Sequence, residues 1–522
     1  MKRSVLCFLL ALALLVPNLV LAADFPSEDD NVTYKVQIRM RPMNGDADQM
    51  GIFQLLEERT HVHIDFEQIP QADWSEKISL ELGADVDLPD ALYSAYALTS
   101  NDLINYSAQG ILLALDGYID EYMPNFKKVL EEHPEVKAAV TAPDGHIYSL
   151  PFVKYDGLTG KIPENMFINK VWLDNLGLEA PKTIEDLETV LTAFKEKDAN
   201  GNGDPNDEIP MTFKFLGSQR DLGGLFGMFG YADNLYSGQH HFVVDDGKVI
   251  FVPATEGYHN ACRYLYDHFF SKGLIDLEGF TMDKATYNAQ NQGEVANIGV
   301  FHAWNIFDLG QVHMDEYQPL APMLGPDGTT SWGYVSSSGI EALGLVITHA
   351  CQNPEYLLMW ADQMFDYEIA MQMEYGMVGL NLVDNGDGTY SYAATPEGMT
   401  YDEFLFGNTY PDSCLALFDD FYATMLPFPD SAKAKDKINN ELYLPVATTI
   451  YYPTLLFSEE DNDRISLIGT DIISYAESKR ASWLAYGGVD EEWDEYIKRL
   501  NDMGLEEYTK IYQDTYDVAF AQ

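Results

Sequence analysis

Cysteine and positive charge are what this 522-residue chain has least of, with four Cys, and 31 Lys plus Arg against 83 Asp plus Glu. Cys7 falls in an N-terminal apolar run, which leaves Cys262, Cys351 and Cys414 for the rest of the chain. An odd, sparse set without CxxC or Cys/His spacing is no disulfide framework and no zinc site, although one bridge is allowed in an oxidising compartment. The expectation is three buried small hydrophobes. The shortage of cations argues against nucleic acid and anionic lipid as partners, because a formal charge of −52 repels both. A neutral or cationic ligand fits that field better; solubility in a salty or calcium-rich exterior accounts for it equally well.

Other absences narrow the chemistry. There is no GxSxG elbow, no HExxH helix and no phosphate-cradling glycine loop. A secreted glycoside hydrolase would need a carboxylate pair flanking the scissile bond, and among 83 acidic residues a pair can be chosen anywhere, so abundance supports nothing. A calcium-stabilised adhesin would show repeats or an anchoring tail, and neither is visible. Beyond the first residues no apolar run is long enough to span a bilayer.

Residues 1–22 read as a signal peptide: Lys2 and Arg3, an apolar core from Val5 to Leu15, then Val20-Leu21-Ala22 with cleavage near Ala22. Cys7 lies inside the apolar core, not after it, so no lipobox cysteine is found and a periplasmic or secreted location is expected. Without Lys2 and Arg3, 29 basic residues face 83 acidic ones, a formal charge of −54. About 500 mature residues exceed what one core supports, so at least two domains are expected. Hydrophobic residues at 46% and aromatics at 13% make a packed chain the expectation despite the charge.

Tyr34 to Met40 alternates as a strand, residues 48–59 carry helical spacing, and His61 to Phe66 alternates again; this order predicts a parallel α/β sheet. Leu88 to Ser94 reads as a short strand with polar residues at its carboxyl end, where ligands bind in open α/β sheets. Asn353-Pro354 starts a long helix that stops near Gly376. Asp463 to Phe520 reads as two or three amphipathic helices broken at Gly487-Gly488. Asp384-Asn385-Gly386-Asp387-Gly388 reads as a hairpin turn. His61, His63 and Asp65 would share one face of a strand, read as a half-solvated sheet face; His240-His241 has no third ligand nearby and no assigned role.

The most informative run is Asp198 to Glu208, where acidic and amide side chains alternate at a spacing that wraps a hard cation. Calcium loops of EF-hand type place Asp or Asn at positions one, three and five and Gly at six. Asp198, Asn200, Asn202 and Gly203 fill those places, and the carbonyl of Asp204 falls at seven. Asp207 and Glu208 offer carboxylates to close the shell, whereas position twelve is Ile209, not a bidentate Glu. The alternative is a plain Asn/Gly/Asp/Pro turn. Thr183 with Asp186 gives a capping-box-like start to a helix through Ile184, Leu187, Val190, Leu191 and Phe194, and Ile209, Met211, Phe213 and Phe215 alternate beyond the loop. The loop therefore reads as a structural calcium clip between helix and strand.

Ile147 to Pro151, Phe167 to Leu178, Pro181-Lys182-Thr183 and the loop ending Asp207-Glu208-Ile209-Pro210 together resemble extracellular solute-binding proteins. The branch they resemble is the large oligosaccharide-type binding proteins of ABC importers, which includes alginate-binding members with a calcium loop at this place. Asp73 to Lys77, Leu88-Pro89-Asp90, Glu492 to Tyr496, Leu500 to Leu505 and Ile511-Tyr512-Gln513 extend the resemblance over nearly the whole mature chain. It implies an α/β, two-lobed periplasmic-binding-protein fold with a central cleft that closes about a hinge, and a helix-rich C-terminal region. Lobe 1 is expected at 23–146 and 323–380, lobe 2 at 147–322 and 381–522. It also implies a non-enzymatic monomer that captures a carbohydrate, expected to be an oligosaccharide, and hands it to an ABC importer permease. A peptide or another polar solute is the second reading. Calcium ligands carry over onto Asp198, Asn200, Asn202 and the Asp204 carbonyl, with Asp207 and Glu208 sharing the closing position.

Sugar clefts set aromatic faces against pyranose rings and polar groups against hydroxyls. Trp74, Tyr93, Tyr96, Trp304, Trp332 and Tyr334 lie near expected strand ends, and Trp74, Tyr93, Trp304 and Trp332 are taken as the ligand residues. Asp90 and Glu341 are candidate hydroxyl acceptors, with a structural role as the simpler reading.

Overall fold

The strand Val32–Met40, the helix Gly51–Thr60 and the strand Val62–Pro70 form the right-handed unit that parallel pairing requires. The two strands pair in parallel over their full length, from Val32 with Val62 to Met40 with Pro70. The computed structural model describes residues 25–27, 32–154, 158–204, 206–233, 241–306, 311–336, 339–418 and 435–520; the expected signal peptide and its cleavage site lie outside them. Ala91–Tyr93 adds in parallel on the other side of Val32–Met40. Ile340–Ile347 then runs antiparallel, Ser149–Lys154 follows, and Leu415–Leu417 closes a six-stranded sheet. Successive residues feed opposite faces: Ala91, Tyr93, Leu345 and Ile347 join one core with Phe53 and Trp360, while Leu92 and Val346 join another with Trp74 and Ile78. The sheet is therefore covered on both sides, as parallel sheets require.

A second body holds two four-stranded sheets. One runs Tyr317–Leu320, Asn165–Asn169, Ile298–Ala303, Ile209–Met211; the other runs Gly333–Val335, Thr449–Tyr451, Phe242–Asp245, Lys248–Phe251. Helices Ile184–Glu196, Glu256–Leu265, Thr470–Tyr486, Val489–Asp502 and Leu505–Phe520 supply Leu191, Cys262, Trp483, Tyr496 and Tyr512 to one large core with Trp172 and Phe242.

The chain crosses between the bodies after Lys154, between Val335 and Ile340, and between Leu417 and Lys435, and the three first-sheet strands involved are neighbours in the sheet. The expected division at 147, 323 and 381 does not follow these pairings. Ser149–Lys154 belongs to the first sheet, Gly333–Val335 to the second body, and Leu382–Asp384 packs on the first core through Leu382. A strand's side chains do not say which sheet it joins, because every central strand is apolar. The bodies also exchange small anchors: Leu456 joins the core of Trp74, and Ala138 joins that of Trp172.

Local expectations hold where capping decides them. Thr183 and Asp186 form a full capping box on Ile184–Glu196, and Gly487 and Gly488 (φ 75° and 92°) separate the last helices. The helix expected from Asn353 to Gly376 is instead two, Pro354–Asp362 and Tyr367–Tyr375, because Asp366 caps the second at Glu368 N. Asp362 turns away to accept the N–H groups of Asn125 (3.2 Å) and Phe126 (2.9 Å) at the start of Pro124–Glu132. The strand after the cation loop stops at Met211, short of Phe213 and Phe215. Asp384 to Gly388 does form a hairpin turn, between Leu382–Asp384 and Tyr390–Tyr392. Cys262, Cys351 and Cys414 are free and buried. Among the described residues no helix is long and apolar enough to cross a membrane.

Candidate functional site

The parallel strands Val32–Met40 and Ala91–Tyr93 end on the same edge, so the residues that follow them, Arg39 to Arg41 and Ser94 to Tyr96, are brought together. The loop before Leu415–Leu417 adds Asp412, and the start of Ile340–Ile347 adds Glu341. Arg41 is hydrogen-bonded through Nη2 to Asp412 Oδ1, and Arg39 Nη1 stands 4.0 Å from Asp412 Oδ2. Arg39 also lies over the Tyr96 ring, 5.5 Å from its centroid, and Arg41 over Phe406 at 5.4 Å. Such cation–π contacts orient a guanidinium without using up its five donors. Tyr96 is 49% exposed, whereas Asp412 is only 6% exposed. Burial raises the Asp412 carboxyl, and the two arginines oppose that shift. Burial also raises Tyr96, with Glu341 and Asp412 adding to it, and burial alone raises Glu341. Glu341 is nonetheless exposed to water. The backbone locks this arrangement: Tyr410 Oη donates to the Arg39 carbonyl at 2.6 Å.

Of the four expected ligand residues, three lie in the cores. Trp74 is 3% exposed and its indole N–H donates to the Ala97 carbonyl at 2.9 Å. Tyr93 is fully buried among Phe53, Trp360 and Tyr410, with its hydroxyl on Ser413 and Met364. Trp332 is buried against Gly224, where a Cβ would come within 2.3 Å of the ring, and its indole donates to the Glu164 carbonyl at 3.1 Å. Trp304 differs. It is half-buried just past Ile298–Ala303, with Lys435 Nζ 4.2 Å from its ring centroid. Lys435 is in turn held by the carbonyls of Pro163 (3.2 Å) and Trp304 and by Asn165 Oδ1 (3.1 Å). Lys435 directly follows the third crossing. Tyr334 is half-buried on its strand, and Asp90 is structural, accepting the Lys35 backbone N–H at 2.7 Å.

Arg39, Arg41 and Asp412 escaped the sequence reading. The signal that could have found them is Arg-Met-Arg at a strand's carboxyl end in a chain with few cations. His61 is a left-handed helix cap (φ 54°), not part of the strand, so it does not join His63 and Asp65 on the exposed edge. His240 lies outside the described residues, and His241 is buried on Asp233.

The cation loop folds as a chain of Asx turns. Asn200 Oδ1 accepts Asn202 N at 3.0 Å, Asn202 Oδ1 accepts Asp204 N at 2.7 Å, and Asp198 Oδ2 accepts Gly203 N at 2.9 Å. Gly203 has φ 95°, the left-handed turn expected at position six. Glu208 Oε1 reaches back to Ala199 N at 2.8 Å. The other oxygens of these two acids, Asp198 Oδ1 and Glu208 Oε2, are buried without a hydrogen-bond partner. Buried carboxylate oxygens are costly unless paired or bound to metal, so the donor set fits a hard cation. Asp207 instead spends both oxygens on the amides of Asn200 (3.1 Å) and Asn202 (2.7 Å). Among the described residues no group of three His, Cys, Asp or Glu side chains is placed to hold a metal ion.

Two α/β bodies joined by three crossings, with polar groups collected at the strand ends, define a two-lobed solute-binding protein. The chain belongs to the substrate-binding proteins of ABC transporters. It is 35% identical over 504 residues to the fructooligosaccharide ABC transporter substrate-binding protein FusA of Streptococcus pneumoniae, covering 94% of this chain and 91% of that one. Two FusA structures, one with kestose and one an EF-hand mutant with fructo-nystose, superpose with TM-scores of 0.70 and 0.71 at 33% identity over 94% of this chain and 99% of theirs. An extracellular solute-binding protein from Bifidobacterium longum subsp. infantis superposes with a TM-score of 0.76 at 26% identity over 94% of this chain and 99% of that one. No protein-family model matches the chain.

Proposed function

We propose that this protein captures an oligosaccharide outside the cytoplasmic membrane, without cleaving it, by closing its lobes, and delivers it to an ABC importer. The observation that carries this reading is the polar wall of Arg39, Arg41, Tyr96, Glu341 and Asp412 at the strand ends. Guanidinium forks and carboxylates there suit vicinal hydroxyls, and Tyr96 adds a ring face. Trp304 is the second-body platform of the same cleft, braced by Lys435. The likeness to FusA, described as a fructooligosaccharide binder, supports short fructans such as kestose as the ligand. Three crossings from neighbouring strands supply the hinge.

Calcium fits the loop at 198–208, held by Asp198, Asn200, Asn202, the Asp204 carbonyl and Glu208; a bound cation would fix the helix Ile184–Glu196 to the strand Ile209–Met211. Asp207 acts from outside by orienting the two amides. Export by the signal peptide at 1–22 places this work in the periplasm or beyond the cell. The test is a thermal-shift and calorimetric screen of the mature protein against kestose, nystose, maltotriose and a tripeptide, with and without chelator. Saturable binding of a fructan with the sugar recovered intact is expected. Binding of the peptide alone, or cleavage of the glycan, would overturn the reading.

A further inference from the structure

The wall formed by Arg39, Arg41, Asp412 and Glu341 contains more than hydroxyl-binding groups: two positive charges face two carboxyl groups. Two guanidiniums converge on one carboxylate that is 6% exposed, and Glu341 stands close enough to act on the same tyrosine as Asp412. A buried carboxylate behind arginines whose side chains are 14% and 31% exposed cannot itself be a broad contact surface. Its effect is exerted through the arginines, one of whose two positive charges it offsets while holding Arg41 by a direct hydrogen bond. Arg39 is held less tightly, at 4.0 Å, and Asp412 Oδ2 has no hydrogen-bond partner. Arg39 thus keeps its donors for a ligand, stacked on Tyr96. Exposed arginine pairs without such a counter-charge are the usual receptors for carboxylates and phosphates, because the fork matches those anions bidentately.

We propose that Asp412 is a positioning residue that sets the charge selectivity of the cleft, so that neutral oligosaccharides are accepted and uronate-bearing ones refused. This rests on the carbohydrate reading above. The cancellation is local, acting at hydrogen-bond range where water is displaced, and is therefore separable from the acidic field of the whole chain, which salt screens within roughly 10 Å at 0.1 M.

The test uses the mature full chain and titration calorimetry with kestose and trigalacturonate, at low and at high salt. Asp412→Asn is expected to weaken kestose about tenfold, since a charge-assisted contact is lost, and to strengthen trigalacturonate about tenfold, a gain that persists at high salt because a contact at hydrogen-bond range is screened little. The double variant Arg41→Gln with Asp412→Asn restores the wild-type charge and is expected to lose the gained uronate binding, an outcome that mere loosening of the loop would not produce. If the wild type binds kestose and Asp412→Asn leaves both affinities within about twofold, the selectivity proposal alone is overturned. If the wild type binds no neutral oligosaccharide at all, the carbohydrate reading fails and this one falls with it.

Discussion

Two arginine–carboxylate groups in this protein are built from the same side chains and do opposite things. In the second body Arg480 is fully buried, with Nη2 2.8 Å from Asp221 and Nη1 3.8 Å from Asp233, and its guanidinium lies over Phe215 at 4.6 Å. Asp233 also takes His241 Nδ1 at 2.9 Å, whose Nε2 stands 3.6 Å from Glu477. Nothing from solvent reaches this group, so it serves only to join the helix Thr470–Tyr486 to the loops that hold Asp221 and Asp233. In the first body Arg39 and Arg41 meet Asp412 with side chains 14% and 31% exposed. Access separates a binding wall from an internal brace: the buried group is sealed from any ligand whether or not its donors are paired, whereas a partly open pair keeps donors within reach of one.

That contrast can be broken by making one substitution in both places. Arg480→Met leaves Asp221 and Asp233 buried without their cation and is expected to cost about 3–5 kcal/mol, read by urea unfolding. Removing calcium from the loop follows in size: if it is saturated a hundredfold over its Kd, chelation lowers stability by about 2.7 kcal/mol, seen as a drop in Tm that calcium reverses while sugar affinity is unchanged. Arg41→Met leaves the buried Asp412 carboxylate without its hydrogen-bonded cation and is expected to cost about 1–3 kcal/mol of stability, less than at Arg480 because Arg41 is partly open to water, yet to weaken sugar binding at least about tenfold. Equal stability losses at Arg41 and Arg480 would erase the distinction. Trp304→Ala is expected to cost about 1–2 kcal/mol of binding, read by calorimetry, with intact folding checked by circular dichroism.

The most gradual effect is the pH dependence of the buried brace. Burial alone would lower His241, but the Asp233 carboxylate beside it prevails and holds it raised, to about 9. A folded pKa above the unfolded one means that the native state binds more protons between pH 6.5 and 9. The stability contributed by His241 is therefore complete below pH 6.5 and disappears as pH rises through about 9, at no more than about 1.4 kcal/mol per pH unit. Unfolding series from pH 6 to 10 on wild type and His241→Gln check this, and parallel curves would contradict it.

Legibility follows the range of the interactions. The capping box at Thr183, the loop from Asp198 and the first strand–helix–strand unit were readable because each is decided within about a dozen residues. The wall was not, since Arg41 and Asp412 are 371 positions apart and meet only because Leu415–Leu417 and Val32–Met40 share a sheet. Trp74, Tyr93 and Trp332 misled for the same reason: an aromatic near a strand end is either a platform or a core residue, and only packing from remote helices settles which.

By itself, then, the chain's sequence determined the element types, the calcium-type loop and the membership of a two-lobed family, all through local periodicity, capping and spacing. Tertiary structure alone decided which arginines are sealed and which stay partly open, which of Asp207 and Glu208 keeps an oxygen without a hydrogen-bond partner, and which strands share a sheet. The physical reason is that burial and charge pairing are properties of neighbours in space, and sheet order sets those neighbours across hundreds of residues.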